Sequence, residues 1–401
     1  MEPNSGWNGP CSEDFFNAPC ESTGLLEVEG KMIPWTLSDA ESSYQDEERS
    51  YTVSPFGHFI GYALDEIRIT LANKPWRKSA AIAIVKVVGW LFRWLQIDSC
   101  LYFNNSLLST NLWPNTIEWS KNKGQIVEDV NNQLHSIMAK KEENNNKKRA
   151  ILWRSIDELS QPMLFKTLKE DPTCLLIPAR IANWCDLSEP SEKNRIYRRR
   201  DVRRDLALFQ TRVGWDIQKQ QYVQGAEENS RYQLMQIEPA KLTLEQAERM
   251  VDLHNQLYLD KYSRRNPQLT PKGLIRLCQN DFLRAQILAE RKSGRMVGFS
   301  TVSNREGVMT ASFVGYDVKH DVHKELYRLV MMMGHNALIM DDRVDKVHLS
   351  GGANRFKRLR GATSTVEYLG VFMDHLPWYR QIPWRVVHFM TKRIIRVENA
   401  R

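Results

Sequence analysis

Cysteine is scarce in this chain, and its spacing excludes the common metal and disulfide scaffolds. Six cysteines occur among 401 residues, and none of them forms a Cys-x-x-Cys pair or another spacing typical of zinc sites. Cys100 and Cys174 lie in apolar, strand-like runs, where a thiol packs as a small core residue. The first residues also lack the pattern of a signal peptide. We therefore expect a reducing, cytoplasmic setting and no bound metal.

Long uninterrupted apolar runs are also missing. Residues 80–97 match the length of a membrane-spanning helix but contain Lys86 and Arg93. A charge near the centre of such a helix costs roughly 2.5–3.5 kcal/mol on insertion. We therefore expect no transmembrane segment and predict a buried helix here, with an interfacial helix as the alternative. Residues 376–396 interleave aromatic with basic side chains, which suits peripheral contact with the inner membrane face or stacked nucleobases.

The basic excess of the chain is modest and unevenly distributed. The net charge is +8, and the basic residues gather at 193–212, 352–360 and 380–401. Such clusters attract phosphates, nucleic acid or anionic lipid, although a solvated basic surface is the more common explanation. The first cluster predicts a polyanion-binding set, namely Arg198, Arg199, Arg200, Arg203 and Arg204. Residues 1–50 show little apolar periodicity, and we predict a loosely ordered tail there.

The second half of the chain has the clearest pattern of elements. Residues 308–316 predict a strand, residues 326–340 an apolar-faced helix, residues 346–349 a short strand, and residues 366–372 a last strand. A Gly-Gly loop and a basic helical turn separate the last two strands. This order predicts a mixed sheet with crossover helices.

The segment before it extends the same architecture. Residues 231–238 predict a strand ended by Pro239, and Thr243 with Gln246 forms a capping-box pattern at the start of a helix. Pro271 suits the first turn of a second helix. Two further strands, 284–290 and 296–302, predict a hairpin closed by the turn 292–295.

Together these elements resemble the Gcn5-related N-acyltransferase (GNAT) fold. Two motifs narrow this resemblance to the double-GNAT group, which contains the Fem-type peptidyltransferases. One is Asn266-Pro267 before the second helix, and the other is Gly351-Gly352 with Lys357 and Gly361 after the late strand. The resemblance covers about residues 193–375, and more weakly 50–190. It implies an α/β fold with a mixed sheet and two tandem GNAT-like units, a truncated one at 51–192 and an acyltransferase domain at 193–375. A basic, aromatic C-terminal segment follows at 376–401.

One motif departs from the GNAT pattern. Standard GNAT enzymes have a glycine-rich turn after the fourth strand, and its backbone N–H groups bind the coenzyme A pyrophosphate. Residues 315–323 hold a single glycine and two acids at that place. Fem-type enzymes also depart from the motif, and they use aminoacyl-tRNA. The acyl donor is therefore left open between a thioester and a charged tRNA.

Acyl transfer to an amine requires a proton acceptor and a polarised carbonyl. In the GNAT fold the acyl group lies where two parallel strands separate, which the resemblance places at 311–316 and 346–349. His348 alternates with Val347 and Leu349, so it faces away from them, and we predict it as the general base. Asp317 and Tyr316 end the other strand and are predicted as base and leaving-group acid. A structural histidine and a surface turn are the alternative interpretations.

The Gly-Gly loop and its helix predict an anion site. Gly351 and Gly352 allow a ligand close to the backbone, and Lys357 and Arg360 follow on the helix. The matching lysine of Fem-type enzymes contacts substrate, which implies that role for Lys357. We add Tyr258 to this predicted substrate-binding set.

The leading functional prediction is an N-acyltransferase. It would move an acyl group from acyl-CoA or an acyl-carrier protein, bound as co-substrate, to an amine of a small molecule or amino-acid derivative. One alternative is a Fem-like aminoacyl transferase whose arginine cluster binds charged tRNA. The other is a non-catalytic module that binds nucleic acid or a membrane surface.

Overall fold

The structure is a computed structural model that describes two compact units. The described residues are 22–28, 31–37, 75–94, 100–103 and 150–399, apart from 160, 227–228, 261–268, 280–282, 306, 322–323 and 340–342. Unit 1 comprises Met1–Ser109, Asn115–Arg180 and Val366–Arg401, and unit 2 comprises Thr110–Pro114 and Ile181–Thr365. Whether the predicted ranges 51–192 and 193–375 fold independently stays a prediction. The Asn266-Pro267 motif lies outside the described residues.

Unit 1 is built on a mixed sheet. Its strands are β1 (Ser22–Val28), β2 (Lys31–Leu37), β3 (Cys100–Phe103), β4 (Ala150–Asp157) and the first part of β5 (Cys174–Asp186). Its helices are α1 (Pro75–Trp94) and α2 (Pro162–Glu170). β1 and β2 fall within the segment that we predicted as a loosely ordered tail, so that prediction is wrong for 22–28 and 31–37, which pair as antiparallel strands.

Unit 2 contains most of the remaining elements. Its helices are α3 (Pro190–Arg198), α4 (Arg200–Val213), α5 (Leu244–Asn255), followed by a π-helical turn Gln256–Asp260, α6 (Pro271–Gln279), α7 (Leu326–Ile339) and α8 (Asn354–Leu359). Besides the end of β5, its strands are β6 (Trp215–Asp216), β7 (Gln221–Tyr222), β8 (Tyr232–Ile237), β9 (Arg284–Glu290), β10 (Met296–Arg305), β11 (Val308–Tyr316) and β12 (Lys346–His348). The chain then returns to unit 1 through β13 (Thr363–Phe372) and ends in α9 (Trp378–Asn399).

The two units repeat one order of strands. In unit 2, β8, β9, β10 and β11 are successive antiparallel neighbours, β11 and β12 are parallel, and β12 then pairs antiparallel with β5. In unit 1, β1, β2 and β3 are antiparallel, β3 and β4 are parallel, and β4 then pairs antiparallel with β13. Each unit therefore has one parallel pair followed by an antiparallel strand. This order confirms the predicted mixed sheet, and unit 1 has one strand fewer than unit 2 before its parallel pair.

Local sequence signals account for the elements of unit 2. Thr243 accepts a hydrogen bond from the backbone of Gln246, whose side chain accepts one from the backbone of Thr243, so the predicted capping box begins α5. The predicted apolar face of α7 is buried, because Leu329, Val330 and Met333 pack in one core cluster with Phe209 of α4.

Helix α5 packs directly on β11 at Gly315. A Cβ atom there would lie 2.7 Å from the backbone nitrogen of His254 and 2.6 Å from the Phe299 ring. We predict that Gly315→Ala lowers the free energy of unfolding by about 1–3 kcal/mol, because backbone atoms cannot move aside easily. Gly334→Ala is the control, since nothing lies within 4 Å of its Cβ position, and in a helix it should be neutral or stabilising. Urea denaturation measures both, and equal effects would contradict the packing argument.

Helix α1 differs from the prediction of a buried helix. Trp76 and Val87 are 71% and 63% exposed, and Lys86 is exposed as well. Within the described ranges, no helix is both long enough and apolar enough to cross a bilayer.

Candidate functional site

The candidate site lies where the parallel strands of unit 2 separate. β11 and β12 are paired at Val308 with Lys346, Met309 with Val347, and Thr310 with His348. β12 ends at this last pair, whereas β11 continues to Tyr316. The two strands thus part immediately after Thr310 and His348, as the GNAT resemblance implies. This separation places His348 at the opening.

A row of buried polar side chains crosses the sheet at this level. Ser303 of β10 is in register with Thr310, Thr310 with His348, and His348 with Trp184 of β5. Partners in register share one face of a sheet. The four residues, here called the polar row, are buried, with exposures of 1%, 0%, 1% and 7%. A polar row at the opening of a parallel pair is a candidate reaction site.

Two members of the polar row have unused hydrogen-bonding groups. Within the described part of the chain, neither Thr310 Oγ1 nor Trp184 Nε1 has a hydrogen-bond partner. The Trp184 ring is tilted against the His348 ring, with centroids 4.4 Å apart. Nearby, Ser312 Oγ donates to the Thr310 carbonyl at 3.3 Å and lies 3.5 Å from Ser303 Oγ. An unsatisfied buried polar group costs about 1–3 kcal/mol, which favours a ligand or water as the missing partner.

An apolar cavity lies on the opposite face of the same strands. Val347 and Leu349, which flank His348, line it together with Met309 and Met331. Its volume of about 50 Å³ has room for a few water-sized groups. Among the described residues that line this cavity, His348 does not occur. The cavity therefore lies on the face of the sheet that Val347 and Leu349 share.

His335 of α7 brings an unpaired nitrogen to the cavity. Its Nδ1 is buried and has no hydrogen-bond partner among the residues that the structure describes, and the same holds for the Tyr197 hydroxyl. The two rings meet edge-on with centroids 6.1 Å apart. Burial and the charge of Arg360 lower the pKa of His335 to about 4, despite the opposing effect of Asp205. His335 is therefore neutral at pH 7.

Lys357 is engaged by the loop that precedes it. Its Nζ donates to the carbonyls of Leu349 (2.5 Å), Ser350 (3.2 Å) and Gly351 (2.8 Å). Ser350 and Gly352 have φ angles of 60° and 73°, so the loop needs both conformations to direct these carbonyls inward. The side chain is buried and its stem lines the apolar cavity. This geometry assigns Lys357 to the support of the loop, and its predicted contact with substrate stays a prediction.

Arg360 belongs to a buried ion cluster. Its Nε and Nη2 donate to Asp205 Oδ2 at 2.7 and 2.5 Å, and Arg328 Nε donates to the other carboxylate oxygen at 2.6 Å. The Arg360 guanidinium also lies 3.3 Å from the centroid of the Phe356 ring. Asp205 thus joins α4 to α7 and α8. Arg360 lines the cavity, but its guanidinium N–H groups donate to Asp205 and to the Phe356 carbonyl.

Asp317 lies in a second ion cluster. Its carboxylate contacts Arg249 at 3.0 Å, Arg295 at 3.6 Å and His320 Nδ1 at 2.8 Å. Burial raises the pKa of Asp317, but the hydrogen bond and charge of His320 and the charge of Arg249 outweigh it and lower the pKa below its usual value. A carboxylate with a lowered pKa is a weak base.

Asp317 and Tyr316 do not share a site with His348. Asp317 follows Thr310, the partner of His348, by seven residues along β11, a distance of roughly 20 Å in an extended strand. Tyr316 is buried in the core cluster that contains Phe209 of α4 and Leu329 of α7. Tyr258 is half-buried and stacks on His254, with ring centroids 4.6 Å apart. Of the three residues predicted to be catalytic, only His348 therefore lies at the opening between β11 and β12.

Asp321 caps the start of α7. Asp321 Oδ1 accepts hydrogen bonds from the backbone nitrogens of Glu325 (2.8 Å) and Leu326 (3.0 Å) at the start of α7. These are N–H groups that a bound diphosphate would otherwise use. The carboxylate of Asp321 therefore occupies this helix terminus and repels an anion.

The predicted arginine set lies on α3, α4 and the joint between them. Arg198, Arg200, Arg203 and Arg204 are exposed, and Arg199 is half-buried. Arg204 pairs with Asp201 at 3.1 Å. Arg199 Nη1 donates to the Arg358 carbonyl at 3.3 Å, which brings the basic turn of α8 beside this surface. The five residues, here called the arginine face, are thus accessible.

Comparisons with known proteins give structural likeness but no sequence family. No protein-family model matches the chain, and no curated protein matches it. Among solved structures it is similar to FemX, with 10% identity over 64% of this chain and 79% of that chain and a TM-score of 0.41. It is similar to L-PGS from Bacillus licheniformis, with 11% identity over 65% and 77% and a TM-score of 0.40. A GCN5-related N-acetyltransferase from Kribbella flavida gives 13% identity over 70% and 84% and a TM-score of 0.34. Structural similarity at this level does not identify the activity of this chain.

Several residues of the candidate site were not predicted from the sequence. Thr310 and Ser303 are polar positions within apolar strands, and their period-two alternation could have marked them. Trp184 comes from β5, more than a hundred residues before its partner His348, and no local pattern links the two. The structure describes no group of three or more His, Cys, Asp and Glu side chains that could hold a metal.

Proposed function

We propose that this chain is an acyl- or aminoacyltransferase that acylates an amine at the polar row. The observation that carries the proposal is the buried row Ser303–Thr310–His348–Trp184 at the point where the parallel strands separate. A carbonyl placed in that opening would meet a histidine and two unpaired donors at once.

The proposed chemistry is a direct transfer. The amine nitrogen attacks the carbonyl carbon, a C–N bond forms, and the bond to the leaving sulfur or oxygen breaks. His348 accepts the proton lost by the amine, directly or through water, and returns it to the leaving group. The Thr310 hydroxyl and the Trp184 indole N–H donate hydrogen bonds to the oxygen that becomes negative in the transition state.

The donor is proposed to be bound away from the start of α7. Asp321 caps that terminus, which argues against the pyrophosphate contact that coenzyme A makes in standard GNAT enzymes. A thioester on a carrier protein does not need that contact. A charged tRNA is the second candidate, and the exposed arginine face supports it by charge complementarity.

An assay with three donor classes tests the proposal. The purified chain is incubated with a labelled acyl-CoA, a labelled acyl-carrier protein or a labelled aminoacyl-tRNA, each with a panel of small amines. We expect labelled amide product from a carrier-linked or tRNA-linked donor and little from acyl-CoA. Failure of all three donors, with the chain shown to be folded, would argue for the non-catalytic binding module instead.

The arginine face gives a prediction that does not depend on turnover. Replacement of three arginines by Gln, at Arg198, Arg200 and Arg203, should weaken tRNA binding and reduce its salt dependence. The slope of log binding constant against log salt concentration should fall by about 0.7–0.9 for each phosphate that is no longer neutralised. The control removes the same charge from exposed positions elsewhere in unit 2, with Lys219, Lys292 and Lys319 replaced by Gln. Filter binding at several salt concentrations measures both. Equal slopes in the two triple variants would show that the arginine face is only solvated.

A further inference from the structure

Helix α9 of unit 1 presents an apolar stripe to solvent. Trp378, Ile382, Val386 and Phe389 follow one another at one-turn spacing, and they are 73%, 46%, 46% and 58% exposed. Tyr379 lies beside the first of them and is also exposed. The opposite side of the same helix is buried, with Trp384 at 2%. An apolar helix face that is exposed while the opposite face is packed marks a surface for an interaction partner.

The chemistry of this surface fits a lipid bilayer. The sequence of α9 contains five basic residues, Arg380, Arg385, Lys392, Arg393 and Arg396, against the single acid Glu398. Arg385 is exposed at the edge of the stripe. Trp and Tyr prefer the boundary between headgroups and acyl chains, and basic residues attract anionic headgroups. We propose that α9 docks this protein on an anionic membrane surface, with the apolar stripe inserted at the level of the headgroups.

Nucleic acid is the less suitable occupant. Half of the stripe is aliphatic, and Ile382 and Val386 offer no aromatic face on which a base can stack. Among the side chains that the structure describes on α9, Arg385 is the one exposed cation, whereas a nucleic-acid backbone is bound through several phosphate contacts. A flat bilayer, in contrast, accepts a convex helix and needs no groove.

Vesicle sedimentation tests the proposal with the full chain. We expect binding to vesicles of phosphatidylcholine mixed with phosphatidylglycerol, and much weaker binding to phosphatidylcholine alone. Trp378→Ala combined with Phe389→Ala should weaken binding to the anionic vesicles by at least about tenfold, because two large apolar side chains no longer leave water. Arg385→Gln should weaken it by roughly fivefold. The control is Leu159→Ala with Met163→Ala, which removes two exposed apolar side chains (41% and 46%) elsewhere in unit 1 and should leave binding unchanged.

Other outcomes would overturn the docking surface. The proposal is wrong if the double variant Trp378→Ala with Phe389→Ala, here called the stripe variant, binds anionic vesicles as well as the parent chain does. It is also wrong if the control variant loses as much binding as the stripe variant. If the parent chain sediments as a dimer without vesicles and the stripe variant as a monomer, the stripe is covered by a second copy instead. If a single-stranded RNA competes with the vesicles and loses affinity in the stripe variant, nucleic acid is the occupant. None of these outcomes depends on the proposed acyl transfer, because vesicle binding needs no donor or acceptor.

Discussion

Replacing His348 by Ala is expected to lower kcat by about 10²–10⁴-fold, because a positioned general base contributes about that much to proton transfer. KM should change little, since the base acts mainly in the transition state. His348 lies at the last paired position of β11 and β12 and is buried in the polar row. The measurement is steady-state kinetics with the donor that the three-class assay identifies.

The control for this change is a histidine at the other end of β11. His320 pairs with Asp317, and 58% of its side chain is exposed, so His320→Gln should leave kcat within about twofold. Thermal melting shows whether the His348→Ala chain remains folded, because removal of the imidazole ring that packs on Trp184 also affects packing. A folded His348→Ala chain with unchanged kcat would remove the proposed base and favour the binding-module alternative.

The order of elements in unit 2 could be predicted because each element carries a local signal. The strands alternate or run apolar, and the Thr243–Gln246 capping box marks the start of α5. The pairing of β5 with β12 could not be predicted, because Cys185 and Val347 come together through the tertiary fold and neither strand specifies its partner.

The charged residues show why a site is harder to predict than a fold. Lys357, Arg360 and Asp317 were predicted to serve a substrate or the reaction, yet each is buried against partners within the chain. A buried charge has to be paired or solvated by polar groups, because its desolvation costs several kcal/mol. Sequence reports the charge but not the partner. Lys357 meets three carbonyls of its own loop, and Arg360 meets an aspartate from α4.

Ser303 and Thr310 were not predicted as site residues, because little in the sequence distinguishes them from other polar strand residues. Ser303 and Thr310 are common residues in strands, and only the register across β10, β11 and β12 shows that they adjoin His348. The departure from the GNAT pyrophosphate motif, in contrast, is visible in the sequence itself as the two acids of residues 315–323. The structure supplies the physical reason, since Asp321 caps α7 and Asp317 closes an ion cluster.

Thr310→Val is the sharpest test of the polar row, because stability and activity should move in different directions. Thr310 is fully buried, and its Oγ1 has no hydrogen-bond partner in the described part of the chain. Replacing an unsatisfied buried hydroxyl by a methyl group of the same shape should leave the free energy of unfolding unchanged or raise it. If Thr310 donates to the developing oxyanion, kcat should nevertheless fall by about 10²–10³-fold.

Thr301→Val on the neighbouring strand is the matched control for this prediction. Thr301 is equally buried, but its hydroxyl accepts from the Phe313 nitrogen at 2.9 Å and donates to the Phe313 carbonyl at 3.1 Å. Removal of this hydroxyl should therefore cost about 1–3 kcal/mol of stability and change kcat far less than Thr310→Val does. Urea denaturation and single-turnover kinetics on both variants measure the two effects separately. If Thr310→Val destabilises the chain like Thr301→Val and leaves kcat intact, the Thr310 hydroxyl is a structural group and the oxyanion role fails.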